Sequence, residues 1–156
     1  MDAKLEKITE YYEKSCVYGK IYEDRYEGVC NLKDYIDPDD FYNIYVKNIG
    51  GTELNDEIYL FSKKLILKLS FQLKANGVFA DYKVYRVSEV LNIRLVDDIT
   101  YGQEVSLDID FKNGDSIQID NREDSSEIEE EFAQKRKEIN KQILESVFRD
   151  MIKILI

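Results

Sequence analysis

The 156-residue chain carries 22 basic and 32 acidic side chains, no histidine and a net charge of −10. That balance opposes nonspecific binding to nucleic acid or to an anionic membrane. The missing histidine removes Ser-His and Cys-His nucleophile pairs and most zinc sites.

No apolar run approaches the roughly 20 residues of a membrane span. The charged start MDAKLEKITE lacks the apolar core of a signal peptide, so a cytoplasmic protein with no membrane partner is expected. In that compartment Cys16 and Cys30 are expected to be free thiols, and their spacing is not that of a metal site. The charge is uneven. Residues 1–58 hold 7 basic and 14 acidic side chains, residues 59–103 hold 7 and 4, and residues 104–156 hold 8 and 14. A basic centre between acidic flanks suits mutual neutralisation within the fold.

In chain order, Leu5, Ile8, Tyr11 and Tyr12 recur at helical spacing, which predicts a short amphipathic helix. The next stretch, to about Glu57, is rich in Tyr, Asp and Glu and has poor periodicity. Within it DPDDFYNIY predicts a helix start, with Asp37 as N-cap, Pro38 at the first position, and Asp39 and Asp40 against the positive end of the dipole.

The period then changes to two. Leu65, Leu67, Leu69, Phe71 and Leu73 share one face of a strand, and Lys68, Ser70 and Gln72 the other. After the turn Ala75–Gly77, VFADYKVYRV and VLNIRLV predict two further strands, and DDITYGQ a connection. Val105, Leu107, Ile109 and Phe111 alternate, and Ile117 and Ile119 continue the alternation beyond Asn113-Gly114. This is a hairpin signal, because Asn-Gly accepts the positive φ of a tight turn. The acidic residues there do not make a helix-loop-helix calcium loop. Counted from Asp108, Lys112 stands at the fifth position where an oxygen ligand belongs, and Gly114 falls one place late.

The last third predicts one helix of about 30 residues, about 45 Å long. It opens on a Ser126/Glu129 capping box. Its first half has a narrow apolar stripe, Ile128, Phe132 and Ile139, expected to reach beyond the domain. From Ile143 the face broadens through Leu144, Phe148 and Leu155 and is expected to cover the sheet.

The stretches YLFSKKLILKL (Tyr59 to Leu69), VSEVLNIRLV (Val87 to Val96) and LDIDFKNGDSIQI (Leu107 to Ile119), followed by a closing helix, resemble bacterial pleckstrin-homology-like domains over residues 57–156. The resemblance implies an α+β fold. In it a curved antiparallel sheet or partly open barrel of about six to seven strands is closed by the long C-terminal helix. Residues 1–56 are then a Tyr-rich, acidic helical region packed on that domain. The resemblance implies no specific ligand.

The expected function is a non-catalytic protein-interaction module with no cofactor, no metal and no nucleic-acid partner. Eight of the twelve tyrosines lie in the first 45 residues. Tyr11, Tyr12, Tyr18, Tyr22 and Tyr26 either pack this region onto the domain or form an exposed docking face. An exposed acidic face of that kind suits a basic partner, as in a phage or mobile-element inhibitor of host defence. Ile128, Phe132 and Ile139 are the candidate surface of a homodimer through the C-terminal helix. Lys63, Lys64, Lys68, Lys83, Arg86 and Arg94 form an ordinary solvated face or line a site for an anion. A carboxylate-bound metal enzyme is the remaining alternative, with Asp37, Asp39 and Asp40 as its best cluster. Helix capping accounts for those three residues, and a turn accounts for Asp97-Asp98.

Overall fold

Period-two alternation and Asn-Gly chemistry produce strands where they occur. The computed structural model describes residues 2–49, 53–121 and 130–156, with the backbone alone for 2, 3 and 130–136. Three helices come first: α1 (Asp2–Ser15), α2 (Lys20–Cys30) and α3 (Leu32–Tyr35). Seven strands follow among the described residues: β1 (Phe41–Lys47), β2 (Glu57–Ser62), β3 (Leu65–Lys74), β4 (Gly77–Arg86), β5 (Val90–Asp97), β6 (Val105–Phe111) and β7 (Ser116–Asp120). Helix α4 (Glu130–Leu155) closes the fold.

The strands form two antiparallel sheets, ordered β1-β2-β3-β4 and β5-β6-β7, and no closed barrel. The expectation of an α+β fold with an antiparallel meander, an N-terminal helical region and a C-terminal helix is met at that level. The single curved sheet is replaced by two. The chain leaves the first sheet at Arg86 through a 3-10 turn, Val87–Glu89, and enters the second at Val90.

The four-stranded sheet is a middle layer. On one face Ile44, Ile58, Leu60, Leu67, Leu69 and Phe71 pack against Leu5, Tyr12, Val29 and Leu32 of the N-terminal helices. On the other, Tyr45, Tyr59, Phe61, Ile66 and Tyr85 meet the inward residues of the second sheet and Leu144, Val147 and Met151 of α4. Both faces being covered explains β2, where every residue from Ile58 to Ser62 is buried. It also shows where the alternation in β3 fails. Leu67, Leu69 and Phe71 share the helical face as expected, but Ile66 is buried on the opposite face. Leu65 and Leu73, at the two ends of the strand, are exposed.

The helix expected from Asp37 is corrected. Asp37 does cap, its Oδ1 accepting from the Asp39 N–H at 3.0 Å, but the turn it starts is a single 3-10 turn, Pro38–Asp40. The next seven residues are β1, hydrogen-bonded to β2 from Phe41↔Ser62 to Lys47↔Glu57. Partner strand and two buried faces outweigh the start signal. This strand, from the segment assigned to the N-terminal region, thus belongs to the sheet.

The Asn113-Gly114 hairpin is present, with Asp110 facing Ser116. Phe111 donates to the Asp115 carbonyl at 2.9 Å, Gly114 donates to the Phe111 carbonyl at 3.0 Å, and only Gly114 in this turn has positive φ, +92°. These contacts make a three-residue loop with glycine in the left-handed position, rather than a two-residue turn.

Helix α4 has 26 described residues, about 39 Å. Its capping box at Ser126 and Glu129 lies outside the described residues. The part from Lys137 onward is tied to the domain. Asn121 Nδ2 donates to the Lys137 carbonyl (3.2 Å), Lys137 Nζ reaches Glu104 (3.3 Å), and Lys141 Nζ donates to the Gly102 carbonyl (2.6 Å). The overhang expected for the narrow half therefore does not extend to these residues. On the broad half Leu144, Val147 and Met151 are buried, while Leu155, expected in the covering face, is 43% exposed.

Candidate functional site

Helical spacing assigns the tyrosines of the N-terminal region to different environments. In α1 Leu5 and Tyr12 fall on the inward face and Tyr11 on the outward one. Tyr12 is fully buried, which corrects its place among the surface candidates: its ring meets Phe71 at 6.4 Å and its hydroxyl donates to Asp56 Oδ2 at 2.6 Å. Asp56 also accepts two 3.1 Å hydrogen bonds from Arg25 Nη1, and both side chains are fully buried. The Arg25 guanidinium lies 4.5 Å from the Tyr22 ring centroid. This group joins α1, α2 and the approach to β2. Burial first, and then the Asp56 charge, push the Tyr12 hydroxyl well above its ordinary pKa.

The candidates that do reach the surface gather at the corner between α1 and α2. A 3-10 turn, Cys16–Tyr18, ends at Gly19, whose φ of +127° turns the chain into α2. Val17 is 82% exposed and Tyr18 75%, and Tyr11 and Ile21 are also exposed. Tyr22 is half-buried with its ring 5.6 Å from Tyr18. Tyr26 is half-buried behind the corner, and its interaction with Cys30 first, then nearby charges, push its hydroxyl up to about 12. Cys16 and Cys30 are free thiols. Exposed Glu10, Glu13, Glu23 and Glu27 surround the corner, and Lys20 is paired with Asp24 at 2.8 Å. Sequence reasoning missed Val17 and Ile21. Their signal is a short apolar pair flanking a glycine, which is ambiguous until the helices are docked.

Of the dimer candidates, Ile139 alone has a described side chain. Ile139 is 55% exposed on α4. Ile128 and the side chain of Phe132 lie outside the described residues.

The six basic residues divide into two groups. Lys68 bonds Glu57 at 2.7 Å, Lys83 lies 3.6 Å from Asp115, and Arg94 lies 3.6 Å from Asp108. Burial opposes charge on Glu57, but hydrogen bonds from Lys68 and Tyr59 and the charges of Lys68 and Lys47 outweigh it and lower its pKa. Lys63, Lys64 and Arg86 instead converge on a cavity of about 490 Å³. Lys63 and Lys64 also border a second cavity of about 580 Å³, walled by Asp37, Asp39, Asp40 and Tyr42.

The acidic candidates have local roles. Asp37 is the cap already described, Asp98 Oδ1 accepts from the Tyr101 N–H at 3.2 Å in the β5–β6 turn, and Asp97 lies 3.5 Å from Lys141. Among the described residues no three His, Cys, Asp or Glu side chains are grouped to hold a metal ion. Among the same residues no helix is long and apolar enough to cross a membrane.

No family model, curated protein or solved structure matches this chain. The pleckstrin-homology resemblance therefore gains no support from known proteins, and function rests on the surfaces themselves.

Proposed function

We propose that the protein is a cytoplasmic, non-catalytic interaction module that docks a protein partner through the corner between α1 and α2. The observation that carries this reading is the exposure of Val17, Tyr18, Ile21 and Tyr11 together at one end of a helical hairpin. Contiguous exposed apolar and aromatic side chains mark contact surfaces, and tyrosine combines a large apolar ring with a polar tip. The surrounding glutamates favour a partner with an apolar centre and a basic rim. The buried set of Tyr12, Arg25 and Asp56 holds the two helices that present the corner, so the surface is displayed on a fixed base.

The test is a double variant, Val17→Ser with Tyr18→Ser, used beside the wild type as bait at low and high salt. Both positions are exposed, so circular dichroism should be unchanged. A specific partner should be retained by the wild type, released by the variant and weakened by salt. Equal capture by both proteins would remove the corner as the docking surface. Self-association through α4 is a second proposal, supported by the exposure of Ile139 on that helix.

A further inference from the structure

We infer that the cavity at the β2–β3 turn is a binding site for a soluble phosphomonoester with a short apolar body. The site is separate from the α1–α2 corner, and the inference does not rest on the docking proposal.

Three cations face this cavity in a protein of net charge −10. Among the described residues, Lys63, Lys64 and Arg86 are paired with no carboxylate, whereas Lys68, Lys83 and Arg94 each have one within 3.6 Å. An anion entering this cavity therefore displaces no ion pair of these three side chains, although Asp37, Asp39 and Asp40 border the neighbouring cavity that Lys63 and Lys64 share.

The turn that carries the two lysines is braced. Ser62 Oγ accepts from the Leu65 N–H and donates to the Leu65 carbonyl, both at 2.9 Å. From the other side, the Val87 N–H donates to the Lys64 carbonyl at 2.9 Å. Arg86 is fixed opposite Leu65 in the β3–β4 register. The backbone under all three cations is therefore set before any ligand arrives, which reduces the ordering cost of binding.

The chemistry of the lining selects the ligand. Two ammonium groups, a guanidinium and the Ser88 hydroxyl match a dianion with several acceptor oxygens better than a single carboxylate. Below them Leu65, Val87, Ile154 and Leu155 supply an apolar floor, which a bare inorganic anion would leave unused. A volume of about 490 Å³ is that of a small-molecule site.

Calorimetric titration with hexyl phosphate tests this, with inorganic phosphate, 1-hexanol and phosphatidic acid vesicles as comparisons. The expected result is one-to-one binding of hexyl phosphate, at least about tenfold tighter than inorganic phosphate and weakened by salt. Lys63→Ala with Arg86→Ala, and separately Lys64→Glu, should each weaken it by about tenfold or more, while Lys7→Ala on α1 leaves it unchanged. The substituted side chains are all exposed, and circular dichroism checks that each variant is folded. No saturable heat, equal affinity for 1-hexanol, or full affinity in both folded variants would overturn the assignment. Binding to the vesicles without binding to hexyl phosphate would overturn the soluble ester as the ligand.

Discussion

Replacing Arg25 with Met would leave the Asp56 carboxylate buried beside Tyr12 with its guanidinium partner gone. Both charged side chains are 0% exposed and meet through two 3.1 Å contacts. Breaking one side of such a pair costs about 3–5 kcal/mol, mostly because the remaining charge stays out of water. At about 2–4 °C per kcal/mol for a chain of this size, Tm should fall by roughly 6–20 °C. Tyr12→Phe removes only the 2.6 Å hydrogen bond to the same carboxylate and should cost about 1.5–3 kcal/mol. Removing both charges, Arg25→Met with Asp56→Leu, takes away the unpaired ion but strands the Tyr12 hydroxyl. Adding Tyr12→Phe should then recover most of the lost stability, since well-packed apolar groups often replace a buried pair at little or no cost. Urea unfolding followed by far-ultraviolet circular dichroism measures each value, with an unchanged m-value as the check on two-state behaviour. An Arg25→Met cost below about 1 kcal/mol, or a triple variant no more stable than the single one, would show that the group is not a buried ionic set.

Gly114→Val should destabilise by about 1 kcal/mol or more, because a β-branched residue resists the +92° φ of the turn; an unchanged urea midpoint would count against it. Burial, assisted by Asp150, raises the folded pKa of Tyr42 to about 12, and burial does the same for Tyr82, assisted by Tyr35. An unfolded tyrosine titrates near 10. A raised folded value contributes stability that is fully present below about pH 10 and lost as the pH rises towards 12, so the urea midpoint should hold to about pH 10 and then fall. Tyr42→Phe should flatten that fall, and an identical profile would contradict the burial of its hydroxyl. Sedimentation equilibrium should show a dimer at tens of micromolar that Ile139→Lys weakens; a monomeric wild type would end the self-association proposal.

Elements buried on one face were legible from the order of residues. The alternation Val105, Leu107, Ile109 and Phe111 and the Asn113-Gly114 turn identified β6, β7 and their hairpin, because a half-buried strand must alternate and a tight turn needs positive φ. Ile143, Leu144 and Phe148 likewise marked the inward face of α4 through the 3.6-residue period, though Leu155, read onto the same face, is exposed. β2, and β1 almost throughout, are buried on both faces and so leave no period to detect. Just before β1, Asp37-Pro38 announced a helical turn without saying that a sheet would take over after three residues.

Pairings distant in the chain lay beyond local pattern. Arg25 meets Asp56 31 positions away, and neither residue type suggests burial, since an unpaired charge there would be expelled. The same holds for the basic residues. Composition showed that the centre is positive, but only strand pairing and the packing of the two sheets decided that Lys68, Lys83 and Arg94 face carboxylates while Lys63, Lys64 and Arg86 face a cavity. The local sequence sets which side chains share a face. Which faces meet, and therefore which tyrosines are core and which are surface, is decided by long-range packing in which each burial depends on all the others.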